Sequence, residues 1–198
     1  MPFDFKKVYK DWYQPKTTPA LVTIPAMKFV AVRGEGDPNV PGGAYQQALE
    51  ALYGVSYALR MGPKAGRLID GYFEYVVPPL EGLWLKGSPS DKAAFKWISM
   101  IRVPDFVTPE DLEWARKRKP AFSGVEWYEY EEGLCVQCMH IGSYDEEPAT
   151  LEGLRAFAET QGVQIDLSPW RPHHEIYLSD PRKTAKENLR TVLRLPVR

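Results

Sequence analysis

Apolar residues fall in two rhythms along this chain. The run MKFVAVRGEG, residues 27–36, is almost continuously apolar until it breaks at Gly36, which predicts a buried strand. After the loop DPNVPGGA, residues Tyr45, Ala48, Leu49, Leu52, Tyr53 and Leu59 recur at helical spacing and form one stripe. Gly62-Pro63 ends that helix. The segment YFEYVV then reads as a strand, PPLEG as a turn and LWL as a short further run. On a strand from Phe95 to Ile101, residues Phe95, Trp97, Ser99 and Ile101 share a face. Thr108-Pro109-Glu110-Asp111 starts a helix, with threonine as cap, proline at the first position and an acid at the third. That helix, about residues 109–118, turns Leu112, Ala115 and Trp114 inward.

The second half repeats the first. LCVQCMHIG is a strand ending in Gly142, and SYDEEP leads to a helix with Leu151, Leu154 and Ala158 on one face. Thr150 is its candidate cap and Gly162 stands just past its end. HHEIYL is the next strand, turned by Ser179-Asp180-Pro181. Glu74 then aligns with Glu175, and Ile101-Arg102-Val103-Pro104 with Leu193-Arg194-Leu195-Pro196. Each half reads β-α-β-β, about residues 20–105 and 133–198, with an insertion in the first between Gly87 and Asp91. Two such halves pack about a pseudo-twofold axis, giving one α+β domain whose antiparallel sheets enclose a central cleft. The lack of a Gly/Ser-rich or Pro-rich linker argues against two independent domains.

Composition excludes several classes. The net charge is −1, with acids and bases interspersed, so no footprint for a nucleic-acid backbone exists at whole-chain level. The basic run Arg116–Lys119 is the solvated end of a helix. No apolar stretch approaches the roughly 20 residues that span a bilayer, and MPFDFKKVYKDWYQ has no secretory core, so a cytoplasmic protein without membrane partners is expected. Cys135 and Cys138 lie three apart within a strand, so their thiols face opposite ways and read as buried and inert rather than as a redox pair. Nucleophile-elbow and phosphate-loop motifs are absent. The sequence is compatible with a monomer or a homodimer.

FDFKKVYKDWYQPKTTPALVTIPAMKFVAVRGEGDPN, YQQALEALYGVSYALRM, YFEYVVPPLEGLW, FKWISMIRVPDFVTPEDL and HEIYLSDPRKT followed by LRTVLRLPV together resemble stand-alone members of the GyrI-like small-molecule-binding family. The resemblance implies two β-α-β-β repeats around an aromatic-lined cleft. The same fold serves as the drug-sensing domain of multidrug-responsive activators, where a buried glutamate receives cationic aromatic ligands. Some stand-alone members resemble hydrolases that open the cyclopropane of DNA-alkylating natural products. No helix-turn-helix or coiled-coil segment precedes the domain here, which disfavours a role in transcription.

The candidate chemistry centres on Glu175. On the strand from His173 to Ser179, residues His173, Glu175, Tyr177 and Ser179 share one face, while His174, Ile176 and Leu178 share the other. Strand pattern alone favours a polar face meeting water, since glutamate is rarely buried without a partner. The resemblance instead places Glu175 on the cleft floor, where it serves as a general base on water or as the counter-charge to a ligand cation. Tyr128 is the candidate to polarise a ligand carbonyl. Trp84, Trp97, Trp127, Tyr130 and Tyr177 are candidate ligand walls, and Glu74 a candidate at the rim. His173 and His174 face apart, so a metal site is not expected, and neither is a cofactor. The three histidines His140, His173 and His174 keep one further alternative, haem binding of the SOUL type.

Overall fold

The computed structural model describes residues 1–88 and 91–198. Its order is α1 (Phe5–Val8), α2 (Lys10–Tyr13), β1 (Ala20–Glu35), α3 (Ala44–Arg60), β2 (Leu80–Ser88), β3 (Asp91–Arg102), α4 (Pro109–Arg116), β4 (Glu126–Ile141), α5 (Glu147–Thr160), β5 (His173–Tyr177) and β6 (Arg190–Pro196). All strand pairs are antiparallel, and they close into a barrel in the order β1-β3-β2-β5-β6-β4. The protein is an α+β fold whose two halves meet along two seams, β2 against β5 and β1 against β4.

Alternation of side chains along the strands builds two apolar layers. The inner layer fills the barrel with Met27, Phe29, Leu83, Ile98, Met100 and Tyr130. At one mouth Phe5, Tyr13, Tyr75, Met139, Ile176 and Val192 close it from the N-terminal side. The outer layer lies under the helices. Ala51, Leu52, Val55 and Leu59 of α3 cover Val30, Leu80 and Ile101, while Leu154 and Ala158 of α5 cover Val136, Cys138, Leu193 and Leu195. Of the expected stripe, Ala48, Leu52 and Leu59 are buried, joined by Ala51, Val55 and Ser56, whereas Tyr53 is exposed.

Local signals explain most boundaries. Thr108 and Asp111 form a reciprocal capping box on α4, with Pro109 at its start. Leu112 and Ala115 are buried, and Trp114 is half-buried under the Arg118 guanidinium at 4.8 Å. Gly162 takes φ 71° just beyond α5, a conformation open chiefly to glycine. Thr150 does not cap α5. The helix begins three residues earlier, and the Thr150 hydroxyl instead bonds His140 Nδ1 at 2.8 Å.

The principal departure concerns YFEYVV. Residues 72–77 are not a strand; they form an extended coil fastened to the N-terminus by the parallel bridge Phe3–Tyr75. The strand instead begins at Leu80, within what the pattern marks as a turn, because Leu80–Trp84 pair on both sides, with β3 and with β5. Two prolines at 78–79 stop the coil from continuing into it. The insertion expected between Gly87 and Asp91 lies partly outside the described residues.

Candidate functional site

β5 presents two different surfaces. Its inward residues, His174 and Ile176, enter the barrel, and its outward residues, His173, Glu175 and Tyr177, lie beneath the openings of α3 and α5. Glu175 faces outward yet is only 9% exposed. Tyr177 donates its hydroxyl to Glu175 Oε2 at 2.6 Å, and Trp84 donates its indole N–H to the Tyr177 oxygen at 3.0 Å. His173 Nε2 lies 3.0 Å from Glu175 Oε1, while His173 Nδ1 faces the Arg194 carbonyl at 3.3 Å. The ring is thus held between the Glu175 carboxyl and the Arg194 backbone.

Gly82 makes this arrangement possible. It pairs with Glu175 across the β2–β5 seam, and a Cβ there would lie 3.0 Å from the Tyr177 hydroxyl and 3.2 Å from the Trp84 nitrogen. The walls are aromatic. Tyr45, in the first turn of α3, stacks on Trp84 at 6.0 Å and meets the edge of Trp97 at 5.0 Å. Tyr144, just before α5, meets Tyr177 edge-on at 5.9 Å. Trp97 is buried over Gly34, where a Cβ would fall 2.2 Å from its ring.

Burial and the Glu175 charge push the Tyr45 and Tyr177 phenols well above their ordinary range. Glu147, at the start of α5 and 6% exposed, joins the same site. Burial, then the charge of Glu175 and a hydrogen bond to it, raise the Glu147 carboxyl far above the usual carboxylate range.

A second polar cluster sits inside the barrel, on the other side of β5. Glu132 Oε2 accepts from Arg194 at 2.7 Å and lies 3.0 Å from His174 Nδ1, whose Nε2 lies 3.0 Å from Glu81 Oε2. Tyr13 donates to Glu81 at 3.2 Å, and Arg194 also donates to Gln137 and to the Trp12 carbonyl. Burial opposes charge on Glu132, but Arg194 and His174 outweigh it and hold the carboxyl down at about 2. Burial likewise opposes charge on His174, yet Glu132 and Glu81 raise it to about 9. A cavity of about 10 Å³ adjoins this cluster, close to the least volume that holds one water. This is a structural ion network, too tightly packed for an organic ligand.

The structure brings Glu175, Tyr177, Trp84 and Trp97 together and separates the other candidates. Tyr128 and Tyr130 stack at 5.8 Å on the inner face of β4, packed with the barrel core, whereas Glu175 faces outward; the barrel wall stands between Tyr128 and Glu175. Trp127 faces out from β4 elsewhere, under Lys28, with its N–H donated to Glu129. Glu74 is exposed on the coil before β2, and its carbonyl accepts from the Phe3 amide; Gly82, rather than Glu74, stands opposite Glu175. The shift follows from the missing strand at 72–77.

Of Tyr45, Tyr144, Glu147 and His173, only His173 is marked by the sequence pattern, on the strand face it shares with Glu175. Three of them sit where a helix starts after a glycine-ended strand, a position that marks them only once the helices are docked on the barrel. All three histidines have both ring nitrogens engaged, His140 with Thr150 and the Ser143 carbonyl, so haem ligation would first break an existing contact. Among the described residues no group of three or more His, Cys, Asp or Glu is placed to hold a metal ion. Also among them, no helix is long and apolar enough to cross a membrane.

A barrel carrying two helices over an aromatic, acid-floored seam is the architecture of a small-molecule-binding domain. The chain belongs to the family of the GyrI-like small molecule binding domain, which it matches over residues 17–198. It is similar to a protein of known structure described as a hydrolase from Listeria innocua, at 45% identity, covering 99% of this chain and 100% of that one with a TM-score of 0.91. An uncharacterized conserved protein from Listeria innocua is 46% identical, with the same coverage and a TM-score of 0.92. The EcmrR C-terminal domain shares the fold at 15% identity, covering 91% of this chain and 97% of its own, with a TM-score of 0.55. No curated protein matches.

Proposed function

We propose that this protein binds bulky, flat, apolar or cationic aromatic small molecules over the β2–β5 seam, between the openings of α3 and α5. One observation carries the reading: Glu175 is buried on an outward face, hydrogen-bonded by Tyr177 and His173, under the rings of Trp84, Tyr45 and Tyr144. A carboxylate held this way is a counter-charge for a ligand cation, and the surrounding rings add stacking and cation–π attraction. Removing this acid and its partners from water has a cost that the barrel fold does not require, which supports a ligand site over a structural role.

A hydrolytic reading is favoured by two further observations. A 45% identical protein is described as a hydrolase, and Glu175 carries an imidazole and a phenol that orient it as a base. The substrate class proposed is a strained cyclopropane conjugated to a dienone. Water adds to the cyclopropane carbon, the ring bond breaks, and its electrons become a phenolate. Stacking on Trp84 and Tyr45 would hold such a flat compound, and Glu175 would take the proton of the attacking water.

The test incubates the purified protein with such a compound and follows its chromophore, beside Glu175→Gln. Turnover in the wild type that falls at least about 100-fold in the variant supports hydrolysis. Tight binding without turnover in the wild type supports sequestration instead. Neither binding nor turnover, for this compound and for planar aromatic cations, would sink the whole reading.

A further inference from the structure

Arg102 and Arg194 hold matching places in the two halves, yet their surroundings differ. Arg194 lies opposite Gln137 across the β4–β6 ladder and donates to both Gln137 and Glu132. Arg102 lies opposite Phe29 across the β1–β3 ladder and is only 5% exposed. Its Nε and Nη1 are buried with no hydrogen-bond partner among the described residues. What meets the guanidinium are three rings of the N-terminal segment: Phe5 at 4.6 Å, Tyr9 at 4.8 Å and Trp12 at 5.7 Å. Tyr9 and Trp12 also stack on each other at 4.6 Å, nearly parallel. A buried cation without an acid beside it is costly, and here ring faces offset that cost.

The segment that carries those rings is separable from the barrel. All six strands lie between Ala20 and Pro196, and the family match starts at residue 17. Residues 14–19 join the two parts without helix or strand; the linker contains Pro15 and Pro19, and Gln14, Lys16, Thr17 and Thr18 are exposed. α1 and α2 are single turns of four residues, too short to hold their shape alone, so they order on docking. The contacts are those of peptide recognition. Phe3 and the coil at 74–76 exchange two backbone hydrogen bonds of 2.8 Å. The Trp12 carbonyl accepts from Arg194 at 2.7 Å, and the Tyr13 hydroxyl donates to Glu81 at 3.2 Å.

We infer that the mouth of the barrel is a docking site for a short aromatic segment, read chiefly by Arg102, and that the N-terminal segment of a second copy of this chain can fill it. Residues 3–13 fill it in cis, because the linker keeps them at high effective concentration. A copy whose own segment is displaced takes that of its neighbour, the exchange that produces swapped dimers.

The test uses the full chain with a site-specific protease sequence placed between Thr17 and Thr18, cut after folding. The cut protein should bind a fluorescent synthetic peptide of residues 1–14, labelled at the exposed Met1 amine. Unlabelled peptide should displace it, with the circular dichroism of the barrel unchanged. Tyr9→Ala or Trp12→Ala in the peptide should each weaken binding at least about tenfold. Arg102→Gln in the barrel should do the same, and Arg102→Lys, which keeps the charge, should recover part of the loss. Mixing the cut protein with an excess of uncut Arg102→Gln chain, whose segment is loosely held at home, should give a heterodimer by light scattering. A cut protein that cannot exchange its segment without losing its far-ultraviolet signal overturns the inference, since residues 3–13 then belong to the core. Equal binding of the two ring-deleted peptides overturns it as well, and does so even where the Arg102 variants fold poorly. Peptide exchange without a heterodimer overturns exchange between copies.

Discussion

Gly82 decides whether the acid site can assemble, because its missing Cβ leaves room for the Trp84–Tyr177–Glu175 chain. Gly82→Ala puts a methyl within 3.0 Å of the Tyr177 hydroxyl. Expected is a loss of roughly 1 kcal/mol in unfolding free energy, read by urea titration, together with a weaker hold on planar ligands. Glu147→Gln should act in the other direction on stability. A group whose folded pKa is raised contributes stability below its unfolded value of 4.5 that is lost as pH rises. Removing the titrating acid therefore raises the melting temperature at pH 8 relative to wild type and changes it less at pH 4. Equal melting differences at the two pH values would contradict this. The sequence shows Glu175 on the same strand face as His173 and Tyr177, since alternation alone fixes that. It hides Glu147 and Tyr45, because nothing local says which strand a helix start will rest on.

The elements owe their stability to the faces they bury. Leu52 of α3 is fully buried against Val30, Ile101 and Leu112, so Leu52→Ala should cost about 2–5 kcal/mol by urea titration. Thr108→Ala removes half of a reciprocal cap on a helix of only eight residues and should cost about 0.5–2 kcal/mol. Both helices were legible, α3 from its stripe and α4 from its cap, because those signals act within a few residues. YFEYVV departs from its strand pattern for the converse reason. Tyr75 is buried as a strand residue would be, but by packing with Phe5, Tyr13 and Ile176 rather than by entering the sheet. Burial pattern records that a side chain meets apolar neighbours. It does not record whether the backbone finds a strand to pair with.

At the scale of the molecule, the barrel is plugged by charge as well as by apolar side chains. Residues 5–13 lie over its mouth and bring the Trp12 carbonyl to Arg194 and the Tyr13 hydroxyl to Glu81. Deleting residues 1–14 strands these buried groups and should cost at least about 3 kcal/mol, measured by calorimetry. The network also sets a pH window. Glu132 has its folded pKa lowered from 4.5 to about 2, so its contribution is full above 4.5 and vanishes as pH falls through 2. His174 is raised from 6.5 to about 9, so its share is full below 6.5 and is lost as pH rises through 9. Both are complete between about 4.5 and 6.5, where the denaturation midpoint should peak. His174→Gln should flatten the alkaline decline, and a decline unchanged in that variant would place its origin elsewhere.

Hydrophobic period, caps and strand alternation determined an α+β chain, the helices α3, α4 and α5, and the face of β5 that carries Glu175, but not the place of β2. These are short-range properties: spacing, propensity and pleat act over a few residues. Tertiary structure alone decided that the strands close into one barrel, that Tyr128 falls inside its wall and Tyr45 outside, and that the rings of Tyr144 and Tyr177, 33 positions apart in sequence, meet at one seam. Such meetings depend on strand register and helix docking. Those are set by the free energy of the whole packed core, and no local stretch of sequence carries that sum.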